Sequence, residues 1–167
     1  SPRVPAAVLG GGGYVAGELA RLLVGHPRLE LVSQVSTSQA GEPVAAAFPH
    51  LAGVLPDRRF ESEDALVVRF AEGQRLALFA ATPHGETATL LDRLMSKAEA
   101  ARAELHVVDL SADFRFPEDP VRYREIYGKE HGAPARLGQF TCSVPDHFTG
   151  RPPAHAVQPG CFTTAVV

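Results

Sequence analysis

The sequence predicts an α/β fold: a doubly wound, Rossmann-like and mostly parallel sheet. Three observations carry that expectation. A short apolar segment, Val4 to Leu9, runs into an unbroken series of glycines, Gly10 to Gly13. A stretch of helical period and a second apolar segment follow directly. This is the order of a strand–helix–strand unit, whose strands are parallel and whose crossover is right-handed. Short apolar segments then alternate with helical stretches along the chain, as in a sheet covered on both faces.

Taken in order, Val4 to Leu9 is the first strand and Gly10 to Gly13 its turn. Tyr14 to Val24 has helical period, with Leu19, Leu22 and Leu23 on one face, and Gly25 and Pro27 close it. Leu29 to Val35 is the second strand. The segment from Ser36 to Asp57 is rich in Pro and Ala and carries no clear period. Glu63 to Phe70 reads as a helix and Leu76 to Ala80 as a buried strand, punctuated by Pro83 and Gly85. Leu90, Leu91, Leu94, Met95 and Ala98 recur at helical spacing within Thr87 to Arg102. His106 to Leu110 is a further strand, and Gly128 to Gly150 is dominated by turn formers. His155 to Val157 is the last strand, ending at Gln158-Pro159-Gly160-Cys161.

Composition narrows the function. Of 167 residues, 45% are apolar, which supplies a core, since a folded chain of this size hides roughly 70% of its extended surface. Charged residues make up 21%, and 16 basic against 19 acidic leave a net charge of −3. That balance excludes a strongly basic nucleic-acid binder and an acidic disordered tail. The apolar runs fall short of the roughly 20 residues of a membrane-spanning helix. The 2 cysteines, Cys142 and Cys161, do not make a disulfide scaffold and have no zinc spacing. No metal site is expected, and a reducing, cytoplasmic setting is. Ser1-Pro2-Arg3 is unlike a signal peptide and lacks Met, as expected of a trimmed chain. At the other end, Thr164-Ala165-Val166-Val167 stops inside an apolar run read as a helix, as expected of a fragment of a longer protein.

The glycine turn carries the first chemical signal. Glycines let the backbone turn tightly and approach a pyrophosphate, which rests on the N-terminus of the next helix. Gly11, Gly13 and Ala16 fit G-x-G-x-x-A, while Gly10, Gly13 and Ala16 fit a wider register. Gly10, Gly11, Gly12, Gly13, Tyr14 and Val15 are therefore candidate cofactor contacts; the alternative is a purely structural turn. An NAD site usually places a carboxylate at the end of the second strand. Here Ser36, Thr37 and Ser38 stand there, and hydroxyls donate to a 2′-phosphate, which favours NADP. Thr82, Pro83 and His84 follow the third strand at the carboxyl edge, where ligands bind in such folds. His84 either contacts the ligand or caps a helix.

Asp109 to Arg115 follows another strand, bringing Ser111, Asp113 and Arg115 to the same edge. An arginine fork matches phosphate or carboxylate geometry; the alternative is a buried Asp–Arg pair. Cys161 follows Pro159-Gly160 at the start of the last helix, where the helix end favours a nucleophilic thiolate and the glycine leaves the backbone open. A lone cysteine is also a common small core residue, and Cys142 is read as one. A thiolate beside a nicotinamide suits attack on an activated carbonyl, with hydride transfer interconverting thioester and aldehyde.

These residues together resemble the N-acetyl-gamma-glutamyl-phosphate reductase family of arginine biosynthesis. The opening turn is Gly10-Gly11-Gly12-Gly13-Tyr14-Val15-Ala16-Gly17-Glu18-Leu19, with Gly12 for the family's Ser and Ala16 for one of its glycines. Pro49-His50-Leu51-Ala52-Gly53, Thr82-Pro83-His84-Gly85, Asp109 to Arg115 and Pro159-Gly160-Cys161 match further motifs in order. Ser143-Val144-Pro145-Asp146 stands for Gly-Leu-Pro-Glu, and Gln39 and Glu42 stand where the family often carries Lys or Arg. No cation is thereby assigned to the 2′-phosphate.

The resemblance implies a dinucleotide-binding domain over residues 1–160, with 161–167 beginning the substrate domain. It implies Cys161 as nucleophile on a small-molecule acyl phosphate, Arg115 with Ser111 and Asp113 at the phosphate, NADPH as reductant, and a cytoplasmic homo-oligomer at full length. The family's catalytic His lies in the later half, and none of the 7 histidines here takes its place by motif. The fragment alone is expected to bind cofactor without turnover. Two readings compete: an aspartate-semialdehyde dehydrogenase, and a non-catalytic dinucleotide-binding module with ordinary thiol reactivity at Cys161.

Overall fold

A computed structural model describes residues 2–147 and 149–166. Its strands are β1 (Val4–Leu9), β2 (Leu29–Val35), β3 (Arg75–Ala80), β4 (Glu104–Asp109), β5 (Phe140–Cys142) and β6 (His155–Val157). They form one 6-stranded sheet in the order β2-β1-β3-β4-β6-β5. Every pairing of these strands is parallel, in keeping with the expected Rossmann-like sheet. The helices are α1 (Tyr14–Val24), α2 (Val44–Ala47), α3 (Glu63–Val67), α4 (Thr87–Ala100), α5 (Pro120–Tyr127) and α6 (Cys161–Val166).

Side chains alternate across the pleat, and the sheet is buried on both sides in its middle. From β1, Ala6 and Val8 meet α1, α2, Leu51 and Phe60, while Ala7 and Leu9 meet the layer built on Leu66 of α3 and Leu91, Leu94 and Met95 of α4. From β3, Leu76, Leu78 and Ala80 face the second layer, and Ala77 and Phe79 the first. The chain leaves β1 toward β2 and returns past it to β3. Carboxyl ends of strands at such a reversal open a crevice between two diverging loops.

At four places the structure departs from the sequence reading or adds to it. Leu22 is 57% exposed, and α1 is seated by Ala16, Gly17, Ala20 and Leu23. Small residues let the helix lie close: a Cβ on Gly17 would fall 2.6 Å from Cε1 of Phe48. The helix expected over 63–70 stops at Val67, and Phe70 turns back into the core. The turn-rich stretch from Gly128 contains a 3-10 segment, Pro134–Gln139, and the edge strand β5. Helix α5 was without a sequence assignment; Asp119 caps it by accepting from the Arg122 N–H at 2.9 Å, and Gly128 ends it at φ 70°.

Candidate active site

Every motif with chemical promise lies at the carboxyl edge of the sheet, and backbone hydrogen bonds continue the ladder past the strands to hold them in register. The Gly11 N–H donates to the Val35 carbonyl at 2.8 Å, Ala81 to Leu9 at 3.0 Å, Leu110 to Ala80 at 2.9 Å and Gln158 to Asp109 at 2.9 Å. The glycine turn, the Ala81–Gly85 turn, the Leu110–Arg115 turn and the Gln158–Cys161 turn are thus laid side by side.

A cleft of about 1040 Å³ opens at the reversal between β1 and β3. Gly10, Gly12, Gly13, Val15, Ser36, Thr37, Ser38, Thr82, Pro83 and His84 line it. Gly10 has φ 85°, and a Cβ there would sit 2.7 Å from the Ala81 carbonyl carbon, so both conformation and space require glycine. A Cβ on Gly13 would meet only the Gly10 carbonyl oxygen, at 3.5 Å, leaving this backbone open to a ligand. Gly13 caps α1 without a side-chain cap, and the first turn holds no carboxylate. Free N–H groups and the positive helix end are what a pyrophosphate requires, so this turn fits a dinucleotide.

Gly11 and Tyr14, expected among the cofactor contacts, are not among the residues that line the cleft. A Cβ on Gly11 would fall 2.7 Å from the Phe60 ring, so this glycine serves packing. Tyr14 is 96% exposed at the outer start of α1. Thr82 shares a 2.7 Å hydroxyl hydrogen bond with buried Thr87, fixing the entry to α4. His84 does both things weighed for it: it faces the cleft, and its Nδ1 accepts the Ala112 N–H at 2.9 Å.

The Asp109–Arg115 turn divides by burial. Ser111 is 1% exposed and Asp113 0%. Asp113 Oδ1 accepts the Gly85 N–H at 2.6 Å and the Tyr123 hydroxyl at 3.1 Å, while Oδ2 accepts the Ala88 N–H at 2.9 Å. Asp113 therefore caps α4 from another element. The Asp109 carboxylate accepts from Ser111, N–H at 2.7 Å and hydroxyl at 3.0 Å. Ser111 and Asp113, expected at the substrate phosphate, are buried and hydrogen-bonded within the protein. Burial pushes the Asp109 carboxyl up to about 6, against the hydrogen bonds from Ser111. Burial, then the Asp113 carboxylate, pushes the Tyr123 phenol up to about 12. His131 Nε2 lies 2.7 Å from the Asp113 carbonyl and Nδ1 accepts the Ala133 N–H at 3.0 Å. Those partners assign the neutral ring with its proton on Nε2, and burial lowers the pKa of His131.

Arg115 is the member of the turn that reaches the edge. It pairs with no carboxylate among the described residues; its Nε donates to the Gln158 carbonyl at 3.2 Å. Its guanidinium lies about one van der Waals contact from Gly160, 3.6 Å from where a Cβ would stand. Gly160 has φ 123° and precedes the exposed Cys161. Gln158, which sequence reasoning passed over, shapes this turn: its Oε1 accepts the Gly160 N–H at 2.7 Å and its Nε2 donates to the Thr164 hydroxyl at 2.5 Å. Cys142, on the edge strand, is half-buried, and burial raises its thiol pKa against the pull of Arg115. Among the described residues no cluster of His, Cys, Asp or Glu is placed to hold a metal ion, and no helix is long and apolar enough to cross a membrane.

The family model for the semialdehyde dehydrogenase NAD binding domain matches residues 5–145. An N-acetyl-gamma-glutamyl-phosphate reductase of Nitrosococcus oceani is 36% identical over 165 residues, covering 98% of this chain and 45% of its own. Another of that name, from a Jannaschia species, is 41% identical over 144 residues, covering 85% of this chain and 38% of its own. The chain thus spans less than half the length of these relatives. A crystal structure of aspartate semialdehyde dehydrogenase with NADP from Candida albicans superposes with a TM-score of 0.51 at 18% identity. That match covers 78% of this chain and 41% of the other, a likeness of fold.

Proposed function

The chain belongs to the semialdehyde dehydrogenase NAD-binding domain family, and from that premise we propose that it is the cofactor-binding part of an NADPH-dependent acyl-phosphate reductase. The substrate in this reading is N-acetyl-gamma-glutamyl phosphate and the product N-acetylglutamate semialdehyde, the chemistry named for the relatives. Residues 1–160 form the dinucleotide-binding domain and 161–167 begin the substrate domain of a cytoplasmic homo-oligomer.

The observation that carries the reading is the Arg115 guanidinium standing beside Gly160, the residue before the exposed Cys161, on the same sheet edge as the glycine-lined cleft. Gly10, Gly12, Gly13 and Val15 hold the dinucleotide at the start of α1, and Thr82, Pro83 and His84 form the facing wall. The thiolate of Cys161 attacks the acyl carbon, the C–O bond to phosphate breaks, and phosphate leaves from beside Arg115. The guanidinium matches the charge that gathers on the departing oxygens. NADPH, when bound, supplies the hydride that reduces the resulting thioester. The thiohemiacetal on Cys161 then takes apart as its C–S bond breaks, releasing aldehyde and regenerating the thiolate. Cys161→Ser in the full-length protein abolishes phosphate-dependent reduction of NADP by the semialdehyde; near-wild-type turnover overturns the assignment. Faster turnover of aspartate semialdehyde than of N-acetylglutamate semialdehyde overturns the substrate.

A further inference from the structure

The loop after β2 brings hydroxyls and the Gln39 amide to the cleft, and no cation. Thr37 and Ser38 are exposed in the cleft, and neither hydroxyl has a protein partner among the described residues. A dianionic phosphate held by such neutral groups alone is poorly compensated, because hydrogen bonds to charged groups gain most from an ionised partner. Among the described residues lining the cleft, Arg93 is the sole lysine or arginine. We propose that Arg93, on the second turn of α4, is the cation that receives the 2′-phosphate of NADP; this rests on the cofactor reading above.

Topology brings the guanidinium to the end of β2. The Ser36 N–H donates to the Glu61 carbonyl at 3.1 Å, beside the parallel bridge between Val35 and Glu61. Glu63 stands two residues on, and two residues span at most about 7 Å. Glu63 Oε1 accepts from Arg93 Nε at 2.6 Å and Oε2 from Nη2 at 2.7 Å. The tie from the strand end to the guanidinium is therefore continuous and short. Glu86, just before α4, and Thr89, Leu90 and Arg93 at helical spacing along it all line the cleft. Arg93 belongs to that inward stripe.

The pairing with Glu63 also leaves the correct edge free. It occupies Nε and one hydrogen of Nη2, so both hydrogens of Nη1 are left without a partner among the described residues. The Glu63 carboxylate is held below the usual range, first by the hydrogen bond from Arg93, and so stays ionised. It fixes the guanidinium before the ligand arrives, which reduces the ordering cost of binding. As a surface ion pair alone it would contribute little, since the Arg93 side chain is 49% exposed.

The test is equilibrium titration of the full-length protein with four probes: NADP, NAD, adenosine 2′,5′-bisphosphate and AMP. Arg93→Ala weakens NADP and the bisphosphate by about 10- to 100-fold, as expected for one lost charge-assisted contact, and leaves NAD and AMP within about twofold. Arg93→Lys, which keeps the charge without the fork, retains part of the NADP preference. Equal losses for both pairs of probes, whether from adenine contact or lost fold, overturn the assignment, as does an unchanged NADP affinity. Wild-type protein that binds neither dinucleotide overturns the cofactor reading itself, a result distinct from an altered preference.

Discussion

Removing the Asp113 carboxylate is the sharpest test of how the edge is held together. Asp113→Ala strands three donors at once: the Gly85 N–H, the Ala88 N–H and the Tyr123 hydroxyl. A buried donor left without a partner costs about 1–3 kcal/mol. Water entering the space of the lost carboxylate satisfies some of them, so the lower end applies, about 3–4 kcal/mol in all. With a urea slope near 2 kcal/mol/M, the unfolding midpoint falls by roughly 1.5–2 M. Asp113→Asn is milder. Its retained oxygen can still serve Gly85 and Tyr123, and only the Ala88 N–H then faces an amide donor, for about 1–3 kcal/mol. The decisive arm is a double-mutant cycle. Tyr123→Phe costs roughly 1 kcal/mol in the wild type and close to nothing beside Asp113→Ala, where the hydroxyl has already lost its acceptor. An Asp113→Ala change within about 0.5 kcal/mol of wild type, or an equal Tyr123→Phe cost in both backgrounds, refutes the reasoning.

Two further outcomes follow from the same edge. Asp109 has its carboxyl raised by burial to about 6 from 3.8, so the unfolded chain releases this proton first as pH rises. Its contribution is complete below the unfolded value and is lost as pH climbs through the folded one; urea unfolding of the wild type weakens across roughly pH 4–6 on this account, by up to about 3 kcal/mol. Asp109→Asn removes that slope while still accepting from the Ser111 N–H, and an unchanged pH profile contradicts the burial argument. Gly10→Ala forces a side chain to φ 85° against the Ala81 carbonyl, which lowers stability by about 1–3 kcal/mol and weakens NADP binding; a variant with wild-type melting and affinity shows that the turn does not need its glycine.

The parts of the molecule that were legible are those where local pattern and topology agree. The glycine series between a short apolar strand and a periodic helix announced the cleft, and the Gln158–Cys161 turn announced its own position at a strand end. Helix α5 carried its signals too, Asp119 and Pro120 at one end and Gly128 at the other. It was passed over because Tyr123 is its only buried residue among those described, so no apolar stripe shows. Strand β5, at 3 residues, is too short to display a period. Arg93 was illegible for a different reason. Its neighbourhood is made by the segment between β2 and β3, which brings Glu63 of α3 to Arg93 of α4 at the cleft. No spacing along the sequence encodes that meeting.

Ser111 and Asp113 show what a polar run at a strand end leaves open. A sequence shows that such side chains stand beside the site, but not which way they turn. The turns at this edge expose backbone donors in a buried setting, and each needs an acceptor. Asp113 serves the Ala81–Gly85 turn and the first turn of α4, and Asp109 serves Ser111. His84 answers from the other side by accepting the Ala112 N–H. Arg115 is left to extend outward, tied to Gln158, whose amide holds the Gly160 N–H. The cleft wall and the cysteine turn are thus joined through one segment by side chains that bond within the protein. A loosening anywhere along it moves Arg115 and Cys161 relative to the cleft, so in the proposed reaction the polar residues of this run act by fixing where those two groups stand.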